Sequence, residues 1–302
     1  MSINWITYAV LSTAVMGFIS VFDAHMIQRR MPGWRSFLLG ISLFMFVYTI
    51  VLLCVLPVPP GIGADAWIAA VVSGMLRGTA FAIMLRTMHH EEVTRVVPVI
   101  GTYPIFVALF AIPLLGERLS GLQWLAVALV VGGAVLVSLK RDGRRRGAFI
   151  SGTFWKLLVA AILLALSDVG NKYALELLPV WNVYAISTFF LAVVFSTITL
   201  RQSVLREIWE MPQRGLNIFL VFLNVAVAML GIWLLFEALD RGPVSLVSAV
   251  AGSRLVFVFV YGLLLGGIVT RFIDWDKSRL SLLIRFSATL MIAGGIALIY
   301  LN

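Results

Sequence analysis

Ten windows of about twenty apolar residues follow one another along this chain with short joints between them, and that succession dictates what it can fold into. They run at roughly 5–27, 37–58, 66–85, 93–115 and 119–139, then at roughly 154–177, 183–200, 216–235, 244–269 and 280–301. A backbone in hydrocarbon must satisfy its own N–H and C=O groups, so windows of this length become helices. With 61% hydrophobic and 12% charged residues, the chain has too little polar surface for a water-facing coat. The sequence therefore reads as an all-α membrane protein of ten transmembrane helices, with the lipid bilayer as its solvent. No soluble domain fits between the windows. No cleavable leader is expected, because the N-terminus lacks a basic region and the first window continues into further spans. The single cysteine, Cys54, excludes an internal disulfide framework and a cysteine-based metal site.

Orientation is written in the basic residues. The run Lys140-Arg141-Asp142-Gly143-Arg144-Arg145-Arg146 sits between two apolar windows, where it reads as a topology anchor rather than a nucleic-acid patch. Loops after the odd-numbered spans also carry Arg29, Arg30, Arg35, Arg86, Arg201, Arg206 and Arg214, whereas the opposite side holds only Arg118 and Arg241. The positive-inside rule puts the richer side in the cytoplasm, so both termini are expected outside. Short loops and the lack of targeting signals point to the plasma (inner) membrane of a prokaryote. The segment 204–214, with Val204, Leu205, Ile208 and Met211 beside Arg206, Glu207 and Glu210, reads as a short interfacial helix.

The two halves resemble each other. Ser20, Pro32 and Trp34 precede Ser167, Pro179 and Trp181 by 147 positions, and Val93 and Gly101 precede Val244 and Gly252 by 151. Gly132-Gly133 precedes Gly294-Gly295 by 162. The sequence thus divides into a first five-span repeat at 1–139, a basic linker at 140–156 and a second repeat at 157–302. An odd number of spans per repeat inserts the second upside down. Two such repeats can rock about a shared midplane site, giving alternating access.

Ionisable groups at membrane depth are expensive and therefore functional candidates. Arg77 lies near the middle of the third span and Arg254 near the middle of the ninth. Asp168 and Lys172 stand one helical turn apart on the sixth, with Asn171 beside them, and Asp23 and His25 close the first. Two readings stand side by side. Arg77, Lys172 and Arg254 against Asp168 line a net-positive cavity suited to a carboxylate or phosphate. Alternatively, Asp168 pairs with Lys172 or an arginine simply to neutralise charge inside the bundle. Pro98, Pro104 and Pro113 interrupt the fourth span, and Pro243 and Gly252 do so more mildly in the ninth; interrupted spans in matching places point to a transporter site. Tyr103 falls level with Arg254 in the repeat and joins the candidate wall.

Other features point away from catalysis. Glu117, just past the fourth span, reads as a helix-end pairing residue rather than a ligand. His89-His90-Glu91-Glu92 lacks the spacing of a metal site, so no metal or other cofactor is expected. No Gly-rich phosphate loop followed by Lys occurs, which argues against ATP hydrolysis. The paired glycines at 132–133 and 294–295 allow close helix approach, either between the fifth and tenth spans or between protomers of a homodimer. Trp5, Trp34, Trp67, Trp181 and Trp209 sit near span ends as interfacial anchors.

The run Val93-Thr-Arg-Val-Val-Pro98-Val-Ile-Gly-Thr-Tyr-Pro104, then Leu114-Leu-Gly-Glu117-Arg-Leu119 and Gln123-Trp124, resembles an EamA-type half of the drug/metabolite transporter superfamily. The stretch Ala238-Leu-Asp-Arg-Gly-Pro-Val-Ser-Leu-Val-Ser-Ala249 resembles the matching part of a second half. There the pattern departs, with Gly266-Gly267-Ile268 where Gly-Glu is expected. The resemblance implies a secondary transporter or exporter of a small metabolite, anionic or amphiphilic, and no enzyme. A lipid or lipid-linked sugar flippase is the alternative within transport, and a membrane-embedded enzyme the remote one.

Overall fold

The computed structural model describes residues 4–90, 99–138, 152–264 and 279–301. The basic run 140–146, Pro98, the side chains of 89–92 and the segment 266–268 lie outside the described residues. Everything described is helix or connecting turn, as the hydropathy pattern requires. In order come α1 (Trp5–His25), α2 (Trp34–Val55), α3 (Ala64–His90), α4 (Tyr103–Leu115), α5 (Gly121–Ser138) and α6 (Gly152–Leu175). Then follow α7 (Val180–Thr199), α8 (Gln202–Glu210), α9 (Arg214–Arg241), α10 (Val244–Gly252), α11 (Arg254–Leu264) and α12 (Arg279–Leu301). Six helical stretches among the described residues are long and apolar enough to cross a membrane: 5–30, 34–55, 64–87, 154–175, 180–199 and 214–241. The expected helix over 204–214 is found as α8, which ends earlier, at Glu210; its Trp209 is 74% exposed with the Arg214 guanidinium over its ring.

Helices of the first half pack chiefly on helices of the second. α3 lies against α6 and α7, α1 against α9 and α11, α2 against α7, and α5 against α12. Small residues set these distances, since lipid offers no hydrophobic drive between helices and van der Waals fit must supply it. A Cβ on Gly133 would come within 2.8 Å of Ala288 O, and one on Gly295 within 2.9 Å of Ala126 O. Gly133 and Gly295, one from each pair, therefore bring α5 and α12 together within one chain. Gly74 on α3 is pressed against the Ser187 carbonyl of α7, and Gly170 on α6 against the Ser73 hydroxyl of α3.

One expected span is interrupted. The helix over 244–264 stops at Gly252 and restarts at Arg254. Between them Ser253 N donates to Val250 O at 2.9 Å and Val256 N to Ser253 O at 2.9 Å, a tighter spacing than the α-ladder. The Ser253 hydroxyl also donates to Val250 O at 2.6 Å, competing for a helical acceptor. In the first half the chain turns at Gly101-Thr102 before α4, with Pro104 in the first turn, where its missing N–H does no harm. The two breaks meet: a Cβ on Gly252 would lie 3.3 Å from Pro104 Cγ.

Candidate functional site

At the end of α4, Gly116 takes a left-handed conformation (φ 68°), which a glycine adopts without steric cost. The turn it makes aims Glu117 at the start of α10. The Glu117 carboxylate accepts from Val244 N at 2.5 Å, Ser245 N at 3.3 Å and Ser245 Oγ at 2.5 Å. A carboxylate on free N–H groups at a helix N-terminus is favoured by both hydrogen bonding and the helix dipole. Glu117 is thus the helix-end residue the sequence suggests, anchoring the second half to the first.

One turn further along α10, Ser248 Oγ donates to Asp168 Oδ2 at 2.9 Å. The other Asp168 oxygen is ion-paired with Arg77. Arg77 Nε donates to Ser167 Oγ at 3.3 Å, and Ser167 Oγ donates to Ser73 O at 2.8 Å. Asn171 Nδ2 reaches the same Ser167 oxygen at 3.5 Å. This network is buried throughout, with Arg77 8% and Asp168 5% exposed. Of the sequence candidates it unites Arg77, Asp168 and Asn171 across α3 and α6. Tyr103 joins its edge, its hydroxyl donating to Ser248 O at 3.1 Å.

Lys172 is placed elsewhere. Its ammonium donates to Leu239 O at 2.7 Å and Asp240 O at 3.1 Å, the last carbonyls of α9, so Asp168 does not pair with it. A lysine in the last turn of a helix can stretch toward the bundle end and satisfy carbonyls left open there.

Arg254 differs again. It begins α11 just past the break, is half-buried, and makes no hydrogen bond or ion pair among the described residues. Asp23, Tyr103 and Arg77 act on it only through space. Asp23 is itself held by Asn224 Nδ2 at 2.8 Å. Arg254 lines a cavity of about 70 Å³ between the halves, with Arg77, Ser12, Thr13, Ser187 and Thr188 as the other polar walls. Phe81, Ile232, Leu235 and Phe236 supply apolar ones. The space holds a few waters and is well below the roughly 300–1,000 Å³ of ligand pockets. A metabolite enters only if the walls part.

Sequence inspection missed the hydroxyls. Ser245 and Ser248 carry a signal, being one turn apart on one face of α10 in the run Val-Ser-Leu-Val-Ser. Ser187 and Thr188 carry none, since hydroxyls within apolar windows are common.

Six helices among the described residues long and apolar enough to cross a membrane, packed around a cavity lined by two arginines, are the architecture of a multi-pass membrane protein, and the comparisons point to a transporter. Residues 3–139 match the EamA-like transporter family. A protein of Sinorhizobium sp. described as an uncharacterized transporter in the cobO 3' region is 26% identical over 149 residues, 46% of this chain and 99% of its own length. A crystal structure described only as that of a protein superposes with a TM-score of 0.70 at 16% identity, covering 98% of this chain and 95% of that one. That last likeness is one of fold alone. Over its first half the chain is thus similar to the EamA-like transporter family, a likeness consistent with the drug/metabolite transporter superfamily.

Proposed function

We propose that this protein is a secondary transporter of a small organic anion, moving it by alternating access about the cavity between two inverted five-span repeats, 1–139 and 157–302. The carrying observation is Arg254, a cation at membrane depth on an interrupted helix, facing the cavity without an ion-pair partner among the described residues. Arg77, in contrast, is already neutralised by Asp168. The packing pattern supports the repeat. Exchanging each first-half span for its second-half counterpart carries the α3–α6 pair onto α9–α1 and returns α2–α7 and α5–α12 to themselves. The breaks before α4 and before α11 fall at matching places and touch. Ten spans, cytoplasmic basic loops and outward termini in a prokaryotic plasma membrane complete the reading, resting on the charge distribution.

The test uses purified full-length protein and a thermal-shift panel of organic anions, each beside its neutral amide. At least one anion stabilises the wild type more than its amide does, and Arg254→Gln removes that difference. An Arg254→Gln protein that folds normally and distinguishes anion from amide as the wild type does overturns the reading.

A further inference from the structure

α7 carries its hydroxyls in two different states. Near its end they are all engaged: Ser196 Oγ donates to Ser42 Oγ at 3.0 Å, Thr197 Oγ1 to Val194 O at 2.8 Å and Thr199 Oγ1 to Phe195 O at 2.7 Å. Buried helical hydroxyls usually satisfy themselves this way, because a buried polar group without a partner is costly. Ser187 and Thr188 differ. The residues are 2% and 3% exposed, neither hydroxyl has a hydrogen-bond partner among the described residues, and both residues line the cavity that Arg254 lines, so the hydroxyls open onto that space instead of being closed in the packing. On the facing helix the cavity hydroxyls are committed, Ser12 to Gly231 O at 2.7 Å and Thr13 to Ala9 O at 2.6 Å. The backbone at Ser187 is fixed as well, its carbonyl wedged on Gly74 of α3. Two adjacent free hydroxyls therefore stand on a rigid wall, opposite apolar Ile232, Leu235 and Phe236 of α9.

We infer that Ser187 and Thr188 are specificity-determining residues, reading a hydrogen-bonding substituent on an organic anion whose charge Arg254 takes. This deepens the anion reading and rests on it. The substrate class becomes a small polar organic acid, with a hydroxyl, amine or carbonyl on a short carbon body, rather than a plain fatty acid or an amphiphile. A site built to hydrogen-bond a group rejects the analogue that lacks it, because its own polar atoms are then stranded. When no substrate is bound, water fits the same hydroxyls.

Binding of butanoate, its 2-, 3- and 4-hydroxy derivatives and neutral butanamide to the purified full-length protein tests this; a hydroxyl both donates and accepts, so it probes the pair without prejudging the natural substituent. At least one hydroxybutanoate is expected to bind about tenfold or more tighter than butanoate. Ser187→Ala with Thr188→Val brings that ratio to about one, by weakening the hydroxybutanoate and by removing the hydroxyls that butanoate strands. Equal binding of butanoate and all three derivatives, or a ratio that survives in the double variant, overturns the inference and leaves the anion reading standing. If no anion outbinds butanamide at millimolar concentration, the anion reading fails and takes the inference with it.

Discussion

Arg77 and Arg254 are the same residue type at membrane depth, on walls of the same cavity, and the protein treats them in opposite ways. Arg77 is surrounded: a carboxylate from α6, a serine beside it, and a second serine on α10 holding that carboxylate's other oxygen. The helices that carry this network are clamped by glycine contacts at Gly74 and Gly170. Arg254 follows a break in its helix, and its nearest charges act on it without touching it. On the proposed function, the first arginine belongs to the frame and the second to the working surface. A charge inside a bundle marks function only after its partners have been counted.

The largest expected effect tests the frame. Asp168→Ala leaves the Arg77 cation buried and unpaired, and breaking a buried pair in this way costs about 3–5 kcal/mol. The variant should unfold well below the wild type in a thermal melt or denaturant titration. Arg254→Gln removes a side chain that completes no ion pair, so its stability should stay within about 0.5 kcal/mol of wild type. If Arg254→Gln is as destabilising as Asp168→Ala, the contrast between the two arginines is gone.

Next comes the clamp beside Arg77. Gly74→Val forces a side chain into the Ser187 carbonyl, and neither helix can yield without moving a buried network. Overpacking of this kind costs about 1–3 kcal/mol. Because the displaced wall carries Ser187 and Thr188, substrate selectivity should degrade along with the melting temperature. A Gly74→Val protein with unchanged melting would show that α3 and α7 are not held as tightly as the Arg77 side requires.

Glu117 sharpens the comparison from the other helix. α10 is tied at its start by Glu117 and one turn later by Ser248, while α11 beyond the break has no such tie at Arg254 among the described residues. Glu117→Ala removes a charged cap on two backbone N–H groups, an effect of about 1–2 kcal/mol. Hydrogen exchange should accelerate in 244–252 first. Exchange that rises equally in α11 would mean the break does not separate the two segments mechanically.

How much of this was legible beforehand divides along the same line. The helical fold followed from hydropathy alone, because each apolar window has only one way to satisfy its backbone in lipid. Gly252 and Pro104 announced the interruptions, and the Leu-Leu-Gly-Glu run announced a helix end whose glycine and carboxylate now have separate physical jobs. What the sequence left open was pairing across helices far apart in the chain. Arg77 and Arg254 look alike as letters, and Asp168 has Lys172 one turn away, so local spacing suggested the wrong partner as readily as the right one. The idle state of Ser187 and Thr188 is a property of their surroundings and has no trace in their neighbours along the chain.

Lys172 gives the smallest effect and the cleanest separation of helix-end chemistry from cavity chemistry. Its ammonium donates to the Leu239 and Asp240 carbonyls at the end of α9, where it is one turn from Asp168 in sequence but does not contact it. Lys172→Met keeps the apolar stem and removes the cation, uncovering two carbonyls that water at the bundle end can still reach. The cost should be about 0.5–1 kcal/mol, the usual value for a cation at a helix C-terminus. Anion binding at Arg254 should be unchanged, because Lys172 lines no part of that cavity. A Lys172→Met variant that loses anion selectivity while melting normally would return Lys172 to the site and make the cavity larger than Arg254, Ser187 and Thr188 define it.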